Sequence, residues 1–251
     1  MISIDFSREF KKEKLNAQSD LYTYFYIRSL RLLNDKGVHV FICSNSWLDV
    51  GYGVWLQKFL LNYASVHFIF DNHSKRSFAA ADVNTIISVI DAPVKKIVKD
   101  HMIKFVAFKL PFEDVVFTEN LLEIERARAV EANEKFRVYP ITNEELFKSG
   151  LEVDEDGAGI AGTEKYVGDK WGGKFLRAPD IFFTILKKGG LLGDIADDKQ
   201  ASKQASKQAS KQASKQRIVL PLRDVATVRR GITTGANEFF YLEDVTDILS
   251  D

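Results

Sequence analysis

The residues around Phe78 are of the types that contact nucleic acid. Phe78 follows a polar loop, residues 73–77, in which a buried aromatic side chain is not expected, and Lys75 and Arg76 stand just before it. Aromatic rings stack on bases and cations bind phosphates, so this group suits a contact with DNA. A solvated surface pair is an equally good interpretation of the two cations.

A second group of such residues lies near the C-terminus. Arg229, Arg230, Thr233 and Thr234 belong to the run Arg-Arg-Gly-Ile-Thr-Thr-Gly. Guanidinium and hydroxyl groups bind phosphate oxygens, and the glycines permit a close approach of the backbone. We expect these four side chains to contact DNA.

Asn45 and Asp49 follow a short apolar run, Val38 to Cys43. In open α/β sheets, ligands bind beyond the carboxyl ends of the strands, which makes both polar residues candidates for a binding site. Capping of the helix that follows is the other interpretation of these two residues.

Other patterns in the sequence do not indicate a dinucleotide or metal site. Residues 157–162 have the spacing G-x-G-x-x-G, but acidic residues precede them where a dinucleotide site needs an apolar strand, so we interpret them as a loop. Cys43 is the single cysteine, which excludes a multi-cysteine zinc site. The histidines, which show no ligand spacing, are His39, His67, His73 and His101. We therefore assign no metal.

The elements that position these residues are predicted most clearly between residues 20 and 93. Asp20 stands at the N-cap position of a helix, and Gly37 is expected to end it. The helix has an apolar face that we expect to be buried, formed by Leu21, Phe25, Arg28, Leu32 and Leu33. The run Val38 to Cys43 predicts a strand covered on both faces, as in a parallel sheet.

A second helix should bury one side, made of Trp55, Leu56, Phe59, Leu60 and Tyr63. Residues 66–70 and 83–90 are rich in β-formers and close enough in sequence to pair. Further predicted elements are a strand at 103–110, a helix at 119–130, a strand at 136–139 and a helix at 142–149. Thr142 and Glu145 should form a capping box in the last of these.

Composition is that of a globular protein. The chain has 251 residues, 45% of them hydrophobic, with 35 basic and 35 acidic residues. No run approaches the roughly 18 apolar residues of a membrane span, and the N-terminus lacks the apolar core of a signal peptide, so we expect no membrane contact and a cytoplasmic location. Without the five lysines of the repeat at 199–216, 30 basic residues remain, so DNA binding must depend on local patches.

The repeat at 199–216 is a run of the tetrapeptide Lys-Gln-Ala-Ser. It contains no apolar residue larger than alanine and its lysines repel one another, so we interpret it as a solvated linker. The alternative is a spacer that varies in four-residue steps, of the general kind found in type I specificity subunits.

Four blocks of this sequence resemble, in order and spacing, the γ-class amino-DNA methyltransferases, which methylate the N6 atom of adenine and include the Eco57I- and TaqI-like restriction-modification enzymes. The blocks, numbered V to VIII in that family, are residues 20–22 with Phe25, residues 44–48, residues 52–62, and residues 76–78 with 81–85.

The resemblance implies an α/β fold, the C-terminal half of a Rossmann-like methyltransferase sheet, followed by an α+β connector and the start of a target-recognition domain. The implied divisions are residues 1–92 for the methyltransferase half, 93–198 for the connector, 199–216 for the linker and 217–251 for a truncated recognition domain.

The resemblance also implies S-adenosylmethionine as cofactor and double-stranded DNA as partner. Phe25 and Tyr22 would contact the cofactor, Phe25 against its adenine ring. Phe78 would stack on the flipped target base. Periodicity alone favours core packing for Phe25, and only the resemblance favours a cofactor contact.

The family's Asn-Pro-Pro-Tyr motif is absent, because every proline stands alone. The earlier glycine-rich cofactor loop is also missing, so we expect no catalytic residue here and no methyl transfer by the chain alone. A separate polypeptide with the N-terminal motifs, docked on the exposed edge of the Val38–Cys43 strand, or a broken gene would explain this. The alternatives are a non-catalytic DNA-binding or specificity module and, with less support, an oxidoreductase.

Overall fold

The computed structural model describes residues 19–74, 83–94, 98–152 and 165–188. The helices are α1 (Leu21–Leu30), α2 (Gly53–Tyr63), α3 (Phe112–Val115), α4 (Thr118–Arg126), α5 (Asn143–Ser149) and α6 (Asp180–Lys188), with a 3₁₀ turn at Asn45–Leu48 and a π-helical stretch at Gly172–Arg177. The strands are β1 (Val38–Ser44), β2 (Val66–Asn72), β3 (Thr85–Asp91), β4 (Met102–Phe108), β5 (Glu131–Ala132) and β6 (Phe136–Thr142).

These strands form one six-stranded sheet in the order β1-β3-β2-β4-β6-β5. β3 is antiparallel to both of its neighbours, so β1 and β2 point in the same direction. β4 is parallel to β2, and β6 is antiparallel to β4. The sheet is therefore mixed, with β1 at one edge of the described part.

The two faces of the sheet are covered to different extents. The first face holds the larger core, in which Tyr26 of α1, Leu60 of α2 and Trp171 are buried. On the second face, α3 and α4 cover β4 and β6. The β1 end of the second face is open within the described residues, because Val40 is 65% exposed. The expectation that this strand is covered on both faces is therefore wrong, because the helices described on this face, α3 and α4, pack on β4 and β6.

The prediction of which side of α1 is buried is also wrong. Tyr22 and Tyr26 are buried, whereas Leu21, Phe25 and Leu32 of the predicted face are exposed and Leu33 is partly buried. Tyrosine is buried favourably when its hydroxyl finds a partner, and the hydroxyl of Tyr26 lies 2.8 Å from that of Ser88. The face predicted from apolar spacing did not include either tyrosine.

Gly37 does not end α1. The helix ends at Leu30, and turns at residues 31–32 and 35–36 precede the strand. The carbonyl of Gly37 instead accepts a hydrogen bond from the N–H of Ala92 at 2.9 Å, which begins the pairing of β1 with β3.

Other predicted elements are confirmed. The pairing of β2 with β3 is present, and the second helix buries the predicted Leu56, Phe59 and Leu60. The capping box of α5 is complete, because the Thr142 hydroxyl accepts from the N–H of Glu145 at 3.2 Å and the Glu145 carboxylate accepts from the N–H of Thr142 at 3.1 Å. The helix predicted at 119–130 ends earlier, at Arg126.

The sheet and its core continue beyond residue 92. β4 pairs with β2 along five residues of each strand, and Phe105 of β4 is buried in the same core as Ile69 of β2. The predicted division between a methyltransferase half and a connector thus falls inside one sheet, and the division itself stays a prediction.

Candidate functional site

The carboxyl ends of β1 and β2 lie at one edge of the sheet, since both strands are antiparallel to β3. We call this the carboxyl edge. The start of α1 lies near this edge, close to Cys43 at the end of β1. Burial raises the pKa of the Cys43 thiol to about 11, and the negative charge of Asp20, at the start of the helix, raises it further. Cys43 therefore remains a neutral thiol near the end of β1.

Tyr22 forms part of the wall at the carboxyl edge. Its hydroxyl lies 2.7 Å from the hydroxyl of Tyr52, which stands just before α2. Burial, followed by the hydrogen bond with Tyr52, raises the pKa of Tyr22 well above its ordinary value. Tyr22 is consequently neutral, and its contact with Tyr52 links the start of α1 to the start of α2.

Phe25 lies one turn further along α1, and its side chain is 54% exposed. Core packing, which periodicity favoured, is therefore not its role. Residues three apart on a helix are neighbours on its surface, so the exposed ring of Phe25 lies beside the tyrosine wall. An open aromatic face of this kind suits the ring of a ligand.

The loop after β1 is ordered by its own polar groups. Ser44 caps the 3₁₀ turn, because its hydroxyl accepts from the N–H of Ser46 at 3.3 Å. The backbone N–H of Asn45 donates to the carbonyl of Asn84 at 3.0 Å. Ser44, not Asn45, is thus the N-cap residue.

Asp49 ties this loop to a distant segment. One of its carboxylate oxygens accepts from the N–H of Gly173 at 2.9 Å, and the other accepts from the guanidinium of Arg177. A methyl group on Gly172 would lie 2.3 Å from the same carboxylate, so the close approach requires glycine. Asp49 is therefore a structural anchor, which neither sequence interpretation anticipated.

The tryptophan beside these glycines completes the anchor. Trp171 is fully buried, with its ring centroid 5.7 Å from that of Trp47 and 5.8 Å from that of Phe105. The sequence gives one signal for this arrangement, the pairing of a tryptophan with two following glycines at residues 171–173. That signal identifies a tight contact without identifying the partner.

The chain leaves β2 and enters β3 at the carboxyl edge. At the end of β2, the carboxylate of Asp71 is buried and lies 3.6 Å from Nε2 of His73, and Oδ1 of Asn72 accepts from the N–H of Ser74 at 3.1 Å. Residues 75–82, with Lys75, Arg76 and Phe78, lie outside the described residues.

The second predicted DNA-contacting group also lies outside the described residues. It comprises Arg229, Arg230, Thr233 and Thr234. Within the described ranges, no group of three His, Cys, Asp or Glu side chains is arranged to hold a metal ion. In the same ranges, no helix is both long and apolar enough to span a membrane.

A family comparison supports the resemblance seen in the sequence. Residues 2–78 match the model of the Eco57I restriction-modification methylase family. The matched range contains the blocks that resemble motifs V, VI and VII, together with Phe78. Residues 2–78 are thus similar to the restriction-modification methylases, and the resemblance seen in the sequence is confirmed.

Solved structures are more distant. A modification subunit of a putative type I restriction enzyme from Vibrio vulnificus YJ016 shares 14% identity, over 64% of this chain and 33% of that one, with a TM-score of 0.41. A type I restriction-modification system structure, solved for its assembly and conformational transition, shares 14% identity over 77% and 39% of the two chains, with a TM-score of 0.38. The chain thus spans 33% and 39% of the lengths of these proteins. No curated protein matches it.

Proposed function

We propose that this chain is part of a site-specific DNA methyltransferase that transfers a methyl group from S-adenosylmethionine to the N6 atom of adenine. The observation that carries the proposal is the family match over residues 2–78. The role would be in a cytoplasmic restriction-modification or phage-defence system, with double-stranded DNA as the substrate.

The carboxyl edge fits part of a cofactor site. The half-exposed ring of Phe25 and the hydrogen-bonded Tyr22–Tyr52 pair offer an aromatic wall beyond the ends of the strands, where α/β sheets bind ligands. The cofactor, when bound, supplies the electrophilic methyl group. Phe25 would hold its adenine ring by stacking, and Tyr22 would fix the position of the helix that carries Phe25.

The target base poses the chemical problem. The N6 amino group is a poor nucleophile, because its lone pair is delocalised into the ring. Flipping the base out of the duplex costs a few kcal/mol, and stacking on Phe78 would recover about 1 to 3 kcal/mol of that cost. Lys75 and Arg76, beside it, would bind the adjacent phosphates.

The groups that accept hydrogen bonds from the amino group belong to the Asn-Pro-Pro-Tyr motif, which these 251 residues lack. Methyl transfer would therefore need further residues that carry this motif and the glycine-rich cofactor loop. The start of a recognition domain, with Arg229 and Arg230, would hold the DNA.

Tritiated methyl transfer to adenine-containing duplex DNA tests the proposal. The chain alone should transfer no methyl group, and adding the N-terminal half of an Eco57I-family methylase should restore transfer. Phe78→Ala should then lower transfer about tenfold or more while cofactor binding is retained. Phe182→Ala, an exposed aromatic residue of α6, is the matched control.

Methyl transfer by the chain alone would contradict the expectation that it is inactive without the Asn-Pro-Pro-Tyr motif. Equal loss of transfer and cofactor binding in Phe78→Ala would show that Phe78 is structural. DNA affinity that falls with salt, together with no cofactor binding in the reconstituted mixture, would favour a non-catalytic specificity module.

A further inference from the structure

Asp49 joins the loop after β1 to residues 165–188. Its carboxylate accepts hydrogen bonds from the N–H of Gly173 at 2.9 Å and from the guanidinium of Arg177. Its backbone carbonyl accepts from Nζ of Lys170. All of these donors lie outside residues 2–78, the range of the family match. A segment beyond that range therefore holds the loop in place.

The loop is tight before α2. The N–H of Gly53 donates to the Val50 carbonyl at 2.9 Å. A Cβ on Gly53 would lie 1.8 Å from the backbone oxygen of Trp47, so the two ends of the loop are in direct contact. A displacement at Asp49 should therefore move Tyr52, which follows it by three residues within the same closed loop.

Tyr52 connects the loop to α1. Its hydroxyl lies 2.7 Å from that of Tyr22, which is 30 residues earlier in the chain. Tyr22 is buried, whereas Phe25, three residues further along the helix, is exposed beside it at the carboxyl edge. The position of the Phe25 ring thus depends on where the loop holds Tyr52.

We propose that Asp49 and Arg177 are positioning residues of the cofactor site. Their ion pair fixes the loop, the loop fixes the tyrosine pair, and the start of α1 is thereby held with Phe25 facing the ligand. The inference rests on the proposed function, because it concerns how strongly the carboxyl edge holds S-adenosylmethionine. It adds a contribution from residues 165–188 to that site.

Titration of S-adenosylmethionine against the full chain, followed by saturation-transfer NMR, measures the effect on binding. Arg177→Gln should weaken binding about threefold, which is the scale of a partly exposed ion pair. Arg177→Lys keeps the charge and should recover most of the loss. Tyr52→Phe removes only a hydroxyl and should weaken binding by a similar factor. The double variant Arg177→Gln with Tyr52→Phe should lose about threefold, not about ninefold, because both changes act on one chain of contacts.

Hydrogen exchange of the cofactor-free chain separates positioning from a purely local role. In Arg177→Gln, the amides of residues 20–26 should exchange faster, together with those of residues 45–52. Tyr52→Phe alone should also speed exchange in residues 20–26, and adding Arg177→Gln should then speed it no further.

Lys165→Gln is the matched control, because it removes an exposed ion pair with Glu152 from the same segment without touching the loop. It should change neither cofactor binding nor exchange in residues 20–26.

Faster exchange confined to residues 45–52 would overturn the proposal, and so would losses of affinity that multiply in the double variant. Binding by the native chain that Arg177→Gln leaves unchanged would also overturn the positioning role while leaving the cofactor site intact. No binding by the native chain would contradict the cofactor site itself, and the positioning role with it.

Discussion

Gln57, in the middle of α2, exchanges two hydrogen bonds with Asp169, which lies 112 residues later. Nε2 of Gln57 donates to the Asp169 carbonyl at 3.0 Å, and the Asp169 N–H donates to Oε1 of Gln57 at 3.1 Å. The Tyr166 hydroxyl donates to the same Oε1 at 3.1 Å. One buried amide thus fastens residues 165–188 to the family-matched part of the chain.

Gln57→Leu should destabilise the protein by about 2 to 4 kcal/mol, because buried polar groups on three segments lose their partner. Urea unfolding measures the loss, and limited proteolysis should show faster cleavage within residues 165–188. Asn62→Ala, an exposed change on the same helix, should alter stability by no more than about 0.5 kcal/mol. Equal effects of the two variants would contradict the anchoring role.

Gly53 and Gly51 provide a second matched pair. A Cβ on Gly53 would lie 1.8 Å from the backbone oxygen of Trp47, whereas a Cβ on Gly51 would meet nothing within 4 Å. Gly53→Ala should therefore cost about 3 kcal/mol, since backbone must move to relieve the clash, and Gly51→Ala about 0.5 kcal/mol or less. Thermal unfolding distinguishes the two, and a tolerated Gly53→Ala would show that α2 begins differently.

Phe25 and Tyr26 are adjacent but should respond differently to truncation. Phe25→Ala should change stability by about 0.5 kcal/mol or less, because the ring is half exposed. Tyr26→Ala should cost about 3 to 5 kcal/mol, because the ring is fully buried. A large loss of unfolding free energy in Phe25→Ala, measured with urea, would show that Phe25 packs in the core.

Asp180 should make stability depend on acid pH. Hydrogen bonds from Lys109 at 2.6 Å and from Arg137 at 2.5 Å lower the pKa of Asp180 below its ordinary 3.8. A carboxylate whose pKa is depressed by folding stabilises the protein above its unfolded pKa, and the stabilisation is lost as pH falls through the folded pKa. The carboxylate is half exposed, so its contribution at neutral pH should be about 1 kcal/mol or less.

Unfolding free energies of the native chain and Asp180→Asn, measured from neutral pH down to about pH 3, check this dependence. The two should differ at neutral pH and converge below about pH 4. Asp35→Asn, an exposed change in the turn before β1, is the control. A difference between the native chain and Asp180→Asn that grows toward acid pH would contradict the ion pairing.

Local signals in the sequence predicted local structure well. The capping box at Thr142 and Glu145 needs only a spacing of three residues, and it formed as expected. The buried face of α2 follows from apolar spacing alone. The face of α1 was missed because tyrosine burial depends on a hydroxyl partner such as Ser88, which lies 62 residues away.

Contacts between residues far apart in the sequence could not be predicted from residue spacing. Asp49 is polar and follows a strand, which is equally typical of a ligand-binding residue. Its pairing with Arg177 and Gly173 depends on how the chain returns after residue 165, and no local pattern encodes that return. The same holds for the extension of the sheet through β4 and β6.

The central claim is that the carboxyl edge provides part of a cofactor pocket. Saturation-transfer NMR of S-adenosylmethionine with the full chain tests it directly, because the method detects weak binding by an incomplete pocket. We expect saturation transfer to the adenine protons of the cofactor with the native chain. Phe25→Ala should abolish this transfer, and Leu32→Ala, at another exposed apolar residue, should preserve it. Absence of transfer, or equal transfer in all three proteins, would contradict the claim.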